Sequence, residues 1–464
     1  MPRREYAVDA TAGVGSTLIV LYSMSYDAAL LSRLPFMNHA AERGLSQIGA
    51  LRAPGTRVVV VTPEPVAEEV LEYYLRDASG FSEDELPGIR ARLELHRPRP
   101  DGDGALDART LGDAELMAHL RKAVADSGSA RLVNFAASAE GDELAAALGV
   151  AAEQAPAAHI RDMGGKLGGK RVLRLANVPT PGGPLERLHT PDEVIVACRD
   201  LAAEPDPPTR VALKLDDPKW GAGVGTVVLD LAAAVTGDLA GAVVKQAQPW
   251  PDVVADMAVG GAILEAFLLD VVASPSGQAA IDADGEVRVI STHDQLLDGD
   301  RYIGCVGPAS APLVERMREH LAATGKVLAG HGVRGTFGVD FIADTDGVLL
   351  ATEINLRKVG PSHVTAHVAD AASLDAHFVH HRVHEPAVLA HRTIGDVVEG
   401  LRSRGLLFDH TSRTGVLLHM LGAIPGCGYL ETTAVESTRA RAFDLDRRLR
   451  AALGLAPVDD PVRL

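Results

Sequence analysis

The sequence predicts an α/β and α+β multidomain chain. A parallel-sheet α/β domain comes first, a mostly antiparallel region follows, and a mostly helical C-terminal segment closes it. Three observations predict this. Residues 16–150 alternate short apolar runs with helical patterns, the rhythm of βαβ units. From about residue 209 the apolar runs shorten and are joined by glycine turns, as in hairpins. From about residue 374 the spacing becomes helical. The expected domains are 1–150, 151–373 and 374–464. A length of 464 residues, 47% hydrophobic and 23% charged, suits several buried cores.

In the first segment, Leu18–Tyr22, Arg57–Thr62, Ala91–His96 and Ala130–Phe135 read as strands. Val66–Arg76 and Leu111–Asp126 read as covering helices, with apolar residues three and four apart. No G-x-G-x-x-G follows the first strand, so nothing there supports a dinucleotide site. In the second segment, Arg210–Leu215, Ala262–Leu268, Gln278–Asp282, Val287–Thr292, Thr336–Ala343 and Val348–Asn355 read as strands, with a helix at Pro312–Gly330.

Composition removes several function classes. Lys+Arg total 45 against 62 Asp+Glu, a formal charge of −17, which repels a phosphate backbone and argues against nucleic acid. No run of about 20 apolar residues could span a bilayer, and Leu18–Leu21 is too short for a signal-peptide core, so a cytoplasmic protein is expected. Cys198, Cys305 and Cys427 have neither zinc nor disulfide spacing.

The chemistry concentrates in four places. Residues 336–363 hold two apolar runs flanking the turn Asp344-Thr-Asp-Gly347. Residues two apart share a strand face, so Glu353, Asn355 and Arg357 project together. If Asp340 on the partner strand faces the same way, hard oxygen ligands suited to Mg²⁺ on nucleotide phosphates meet a guanidinium suited to a phosphoryl group. Second, Lys214 stands inside an apolar strand and needs an anionic partner. It precedes Trp220-Gly221-Ala-Gly223-Val-Gly225-Thr, whose glycines free backbone N–H groups for phosphates and which reads equally as a plain turn. Third, Ala262-Ile-Leu-Glu265-Ala266-Phe267-Leu268-Leu-Asp270 could offer backbone to an adenine edge and Asp270 to ribose, or simply be a core strand. Fourth, Lys166-Leu-Gly-Gly-Lys170-Arg opens a helix that Val178-Pro-Thr-Pro ends; such basic groups are commonly solvated.

In this order the four motifs resemble the ATP-grasp superfamily over about residues 150–365, with the preceding βαβ segment similar to that family's pre-ATP-grasp domain. Gly-Val-Arg334-Gly-Thr-Phe-Gly-Val-Asp-Phe-Ile, Ser291-Thr-His-Asp-Gln295 and Glu-Ile-Asn-Leu-Arg look more narrowly like the bacterial peptide ligases of the pheganomycin-biosynthesis type. The resemblance implies an ATP-grasp fold with antiparallel sheets gripping ATP, and ATP and Mg²⁺ as cofactors. Carried over by motif, Lys166 and Lys214 would hold phosphates, with Gly221, Gly223 and Gly225 over them. Glu265, Ala266, Phe267 and Leu268 would hold adenine, Asp270 ribose, and Asp340, Glu353 and Asn355 Mg²⁺. Arg357 would hold the transferring phosphoryl group, with Arg334 as a second catalytic arginine. Asp270 stands where many relatives have Glu.

The implied reaction joins an amino-acid carboxylate, activated as an acyl phosphate and expected to bear a guanidine, to a peptide amine in natural-product biosynthesis. The segment from 374 is expected to shape the substrate groove. The same core could instead join an amino acid to another amino acid or small amine. A nucleotide-binding regulatory protein without catalysis is the reading from another class, and the intact Glu-x-Asn-x-Arg argues against it. His377-Phe-Val-His380-His381-Arg-Val-His384 has helical spacing and reads as a packed or solvated helix face rather than a metal site.

Overall fold

The computed structural model describes residues 15–24, 34–99, 104–216, 225–299, 301–373, 375–458 and 460. The chain divides into two units. One comprises the described residues up to Ala157, Ile303–Pro308 and those from Arg357 on; the other comprises Ala158–Tyr302 and Ala309–Leu356.

The first unit begins with a parallel sheet of β1 (Ser16–Leu21), β2 (Arg57–Val61), β3 (Leu93–His96), β4 (Ser129–Asn134) and β5 (Ala151–Ala152), in the order β3-β2-β1-β4-β5. Leu18, Ile19, Val20 and Val58–Val61 are all buried, as expected where helices cover both faces. The helical stretch expected at 111–126 is broken at Asp113. Its side chain accepts the N–H groups of Glu115 and Leu116 and caps the helix Ala114–Ala125, separating it from Leu106–Gly112. A further helix, Pro35–Arg52, wound with 3₁₀ pitch, follows a proline start.

The second unit carries two sheets. β6 (Arg210–Leu215), β7 (Thr226–Asp230), β8 (Val243–Gln246) and β9 (Ala262–Ala266) form an antiparallel sheet ordered β8-β7-β6-β9. Its apolar face packs on the helix Pro191–Ala202 through Val194, Cys198, Leu213 and Leu264. The other sheet holds β10 (Val271–Ala273), β11 (Pro275–Ile281) and β12 (Val287–Asp298). β13 (Arg301–Gly307) then passes into the first unit, before β14 (Gly335–Asp344) and β15 (Leu349–Asn355) return to the second. β14 pairs antiparallel with both β11 and β15.

Back in the first unit, β16 (His377–His384), β17 (Gly415–His419) and β18 (Tyr429–Glu436) form an antiparallel array in which β13 pairs with β16 and β16 with β18. The helices Ile394–Arg402 and Arg439–Leu453 accompany them. The helical reading of His377–His384 is therefore corrected to a strand. Its adjacent His380 and His381 point to opposite faces, and both are buried because each face is covered. His380 Nδ1 meets Thr433 Oγ1 at 3.1 Å, and His381 Nε2 lies 3.3 Å from Asp446 of the helix Arg439–Leu453.

Candidate active site

The β14–β15 hairpin assembles an oxygen-rich cluster. Register pairs Asp340 with Glu353 and Gly338 with Asn355, so the predicted ligands stand at neighbouring rungs. Asn355 Nδ2 donates to Asp340 Oδ2 at 3.0 Å. Gln295 of β12 donates Nε2 to Asp340 Oδ1 at 2.9 Å. A bulge between Asp340 and Phe341 lets the two acids stay opposed while Phe341, Ile342 and Ala343 resume register with Ala351, Leu350 and Leu349. Lys166 Nζ lies 2.6 Å from Glu353 Oε1. A cation already sits on this carboxylate, and carboxylate and amide oxygens of this kind fit Mg²⁺.

Lys166 is the first residue of the helix Lys166–Leu175, whose N-terminus is capped from outside. Asp216, just beyond β6, accepts the Leu167 N–H at 3.0 Å and is gripped by Arg187 at 2.9 and 2.6 Å. Four residues on, Lys170 projects from the same helix face. Its Nζ is 3.1 Å from Glu265 Oε1, while Lys214 Nζ is 2.6 Å from Glu265 Oε2. Lys214 and Glu265 share a sheet face as diagonal neighbours, because Ala212, not Lys214, pairs with Glu265. Burial alone would raise the Glu265 carboxyl, but the two ammonium groups outweigh it and hold it below its ordinary value. Burial pulls Lys170 down despite Glu265. For Lys214 the carboxylate outweighs burial and the ammonium is held up. The anionic partner that a strand lysine demanded is thus Glu265.

The remaining sequence-predicted residues are placed less uniformly. Gly225 closes the β6–β7 hairpin; its carbonyl accepts the Leu215 N–H, and a Cβ there would lie 3.0 Å from Leu215 Cβ. Gly221 and Gly223 lie outside the described residues. The N–H groups of Ala266 and Phe267 donate to the carbonyls of Gly182 (2.8 Å) and Arg210 (2.9 Å). Leu268 is half-buried and Asp270 exposed, in the connection between β9 and β10. Arg334 is not brought to the cluster. Its guanidinium donates to the main-chain carbonyls of Ala283, Ala329 and Val333, while Asp340 lies about 20 Å further along the strand. Arg357 opens a segment of the first unit, where it donates to the Lys358 carbonyl and its guanidinium is 5.9 Å from the centre of the Phe135 ring.

Sequence reading assigned no role to Lys170, Asp216, Arg187 or Gln295. Lys170 was legible from the i, i+4 relation to Lys166. The others act across elements distant in sequence.

The chain is similar to known proteins along nearly its whole length. Residues 53–150 match the pre-ATP-grasp domain family, and residues 396–449 match the PGM1 C-terminal domain family. L-propargylglycine–L-glutamate ligase of Streptantibioticus cattleyicolor is 38% identical over 454 residues, 95% of this chain and 94% of that one. Two solved structures share the fold at 12% identity. ADP-bound N5-carboxyaminoimidazole synthetase from Staphylococcus aureus has a TM-score of 0.53 over 98% of this chain and 100% of that chain. The biotin carboxylase–β,γ-ATP complex from Campylobacter jejuni has 0.55 over 95% and 91%. A lysine–carboxylate grip on one sheet and an acid–amide cluster on the next, in a chain this close to a ligase, make it a member of the ATP-grasp family of ATP-dependent carboxylate–amine ligases.

Proposed function

We propose that this ligase joins the carboxylate of one amino acid to the amine of a second through an acyl phosphate. The observation that carries the reading is the convergence of Asp340, Glu353 and Asn355 beside Lys166, with Glu265 of the neighbouring sheet holding both Lys214 of that sheet and Lys170 of the helix Lys166–Leu175. Two amino acids rather than a peptide are favoured because the 38% identical relative, L-propargylglycine–L-glutamate ligase, pairs one amino acid with another. A peptide acceptor and a guanidine-bearing donor are the competing substrates.

In the first step a carboxylate oxygen attacks the γ-phosphorus of ATP, the bond to the β,γ-bridging oxygen breaks, and ADP leaves. In the second the amine attacks the acyl carbon, phosphate departs with the oxygen that came from the carboxylate, and the nitrogen loses a proton. Lys166 and Lys214 neutralise phosphate charge; Lys166 exchanges its ion pair with Glu353 for a phosphate oxygen. Asp340, Glu353 and Asn355 would hold Mg²⁺, which would supply charge neutralisation on the nucleotide phosphates. The planar fork of Arg357 is assigned to the oxygens of the group in transfer. Catalysis of this kind rests on positioning and electrostatics, without a covalent enzyme intermediate.

The test is a matrix of amino acids and short peptides scored for ADP, phosphate and ligated product, with ¹⁸O in the donor carboxylate. Amino-acid pairs should react, and one ¹⁸O should appear in the released phosphate. Formation of AMP, or phosphate without label, would overturn the acyl phosphate. Turnover confined to peptide acceptors would overturn the amino-acid reading.

A further inference from the structure

The parallel sheet of the first unit carries a cluster that the ligase reaction does not use. Glu94 and His96 are two apart on β3, the edge strand, and so share a face. His119 comes to them from the helix Ala114–Ala125. His119 Nε2 is 2.7 Å and His96 Nε2 3.2 Å from the same oxygen, Glu94 Oε2, and the three atoms all lie within 4.8 Å of one another. The imidazole rings stand 4.3 Å apart. The other carboxylate oxygen is taken by Arg57 of β2, 2.5 Å from Oε1. We propose that Glu94, His96 and His119 form a binding site for a borderline divalent transition ion such as Zn²⁺, tying the edge strand to its covering helix.

The geometry and the chemistry agree. A tetrahedral ion with bonds of about 2.0–2.1 Å holds its ligand atoms about 3.3 Å apart; His96 Nε2 already stands 3.2 Å from Oε2, and His119 Nε2, at 2.7 Å, would move outward by about half an ångström. Two imidazoles and one carboxylate select such an ion over Mg²⁺ or Ca²⁺, which take oxygen sets. Arg57 orients the carboxylate through its distal oxygen, the arrangement by which outer groups fix a metal ligand. His119 is 46% exposed and His96 26%, which gives an ion a path from solvent and leaves its fourth position to water.

The experiment titrates the full chain, stripped with chelator and free of nucleotide, with Zn²⁺ by calorimetry and with Co²⁺ by visible absorption. The wild type should bind one ion at a site that His119→Ala weakens about 100-fold and Arg57→Ala about tenfold. Saturating Zn²⁺ should raise the melting temperature of the wild type and not of His119→Ala. His119 is largely solvent-facing, so this variant should fold, which its unchanged melting temperature in chelator would verify. Equal affinity and stoichiometry in wild type and His119→Ala, or no saturable binding by the wild type, would overturn the site.

Discussion

Glu265 ties a helix to a strand through one carboxylate. It is 2% exposed and binds two ammonium groups on different elements, Lys170 on a helix and Lys214 on β6. Glu265→Ala would leave both cations without their counter-charge, and removing one member of a buried charged group costs about 3–5 kcal/mol. Urea denaturation of this variant should show a loss of that order. Glu353 is 33% exposed and ion-paired to Lys166, and a pair open to water in this way adds little to the fold. Glu353→Gln should therefore melt like the wild type yet ligate at least about 100-fold more slowly, with a raised Mg²⁺ requirement. Retention of turnover at low Mg²⁺ would reject its metal role. Arg357→Lys keeps charge but loses the planar fork. It should bind ATP nearly as well and ligate far more slowly; parallel losses in both would make Arg357 a ground-state contact.

Elements position these residues through contacts that sequence spacing does not announce. The helix Lys166–Leu175 has Gly165 at its N-cap, which has no side chain to accept an N–H, and Asp216 supplies that acceptor from the end of β6. The register of β6 and the start of this helix are thereby linked. Asp216→Ala should cost about 1–2 kcal/mol for the lost cap. It should also raise the KM for ATP, since Lys166 is the first residue of the helix. Stability loss with an unchanged KM would separate the cap from nucleotide binding. The β14–β15 hairpin is set differently, by local information: Asp344 Oδ1 accepts the N–H groups of Asp346 and Val348, and Gly347 takes φ +74°, a combination read directly from Asp-Thr-Asp-Gly.

At the scale of the molecule, the first unit encloses an unusual amount of imidazole. His363, His367, His380 and His419 are each 2% exposed or less. Their rings stand 4.9 Å (His363–His419) to 6.0 Å (His380–His419) apart, and His363 Nε2 lies 2.9 Å from Glu431, which Arg43, Arg382 and Tyr429 also contact. Burial pushes His367 down to about 3 and holds the other three below the ordinary imidazole value, so these rings are neutral in the folded chain. The unfolded chain protonates them from about pH 6.5 downward, so it binds more protons than the folded one and stability falls with pH. Stability should be level above about pH 7 and drop progressively from about 6.5 toward 3. Melting temperature measured between pH 7.5 and 5 should fall less steeply in His419→Gln than in the wild type. An equal slope would place the acid sensitivity elsewhere.

What the sequence determined by itself was local and periodic. The buried valine and leucine runs of β1 and β2, the Gly-turn hairpin and the two-residue alternation of Glu353 and Asn355 are all properties of neighbouring residues, and they were enough to predict the sheets and the acid–amide cluster. Lys214 signalled its own need for an anion, because an ammonium in an apolar strand cannot stand alone. The tertiary structure decided which anion it is. Glu265 is Lys214's partner through a diagonal in a sheet whose strands are about 50 residues apart, and Gln295 and Asp216 act across similar separations. The same physics turned His377–His384 into a strand: its histidine spacing mimics a helix face, but pairing with β13 and β18 and cover on both faces outweigh that local pattern. Arg334, adjacent to a motif in sequence, was carried to the far end of β14, because distance along an extended strand grows by about 3.3 Å per residue and no turn folds it back.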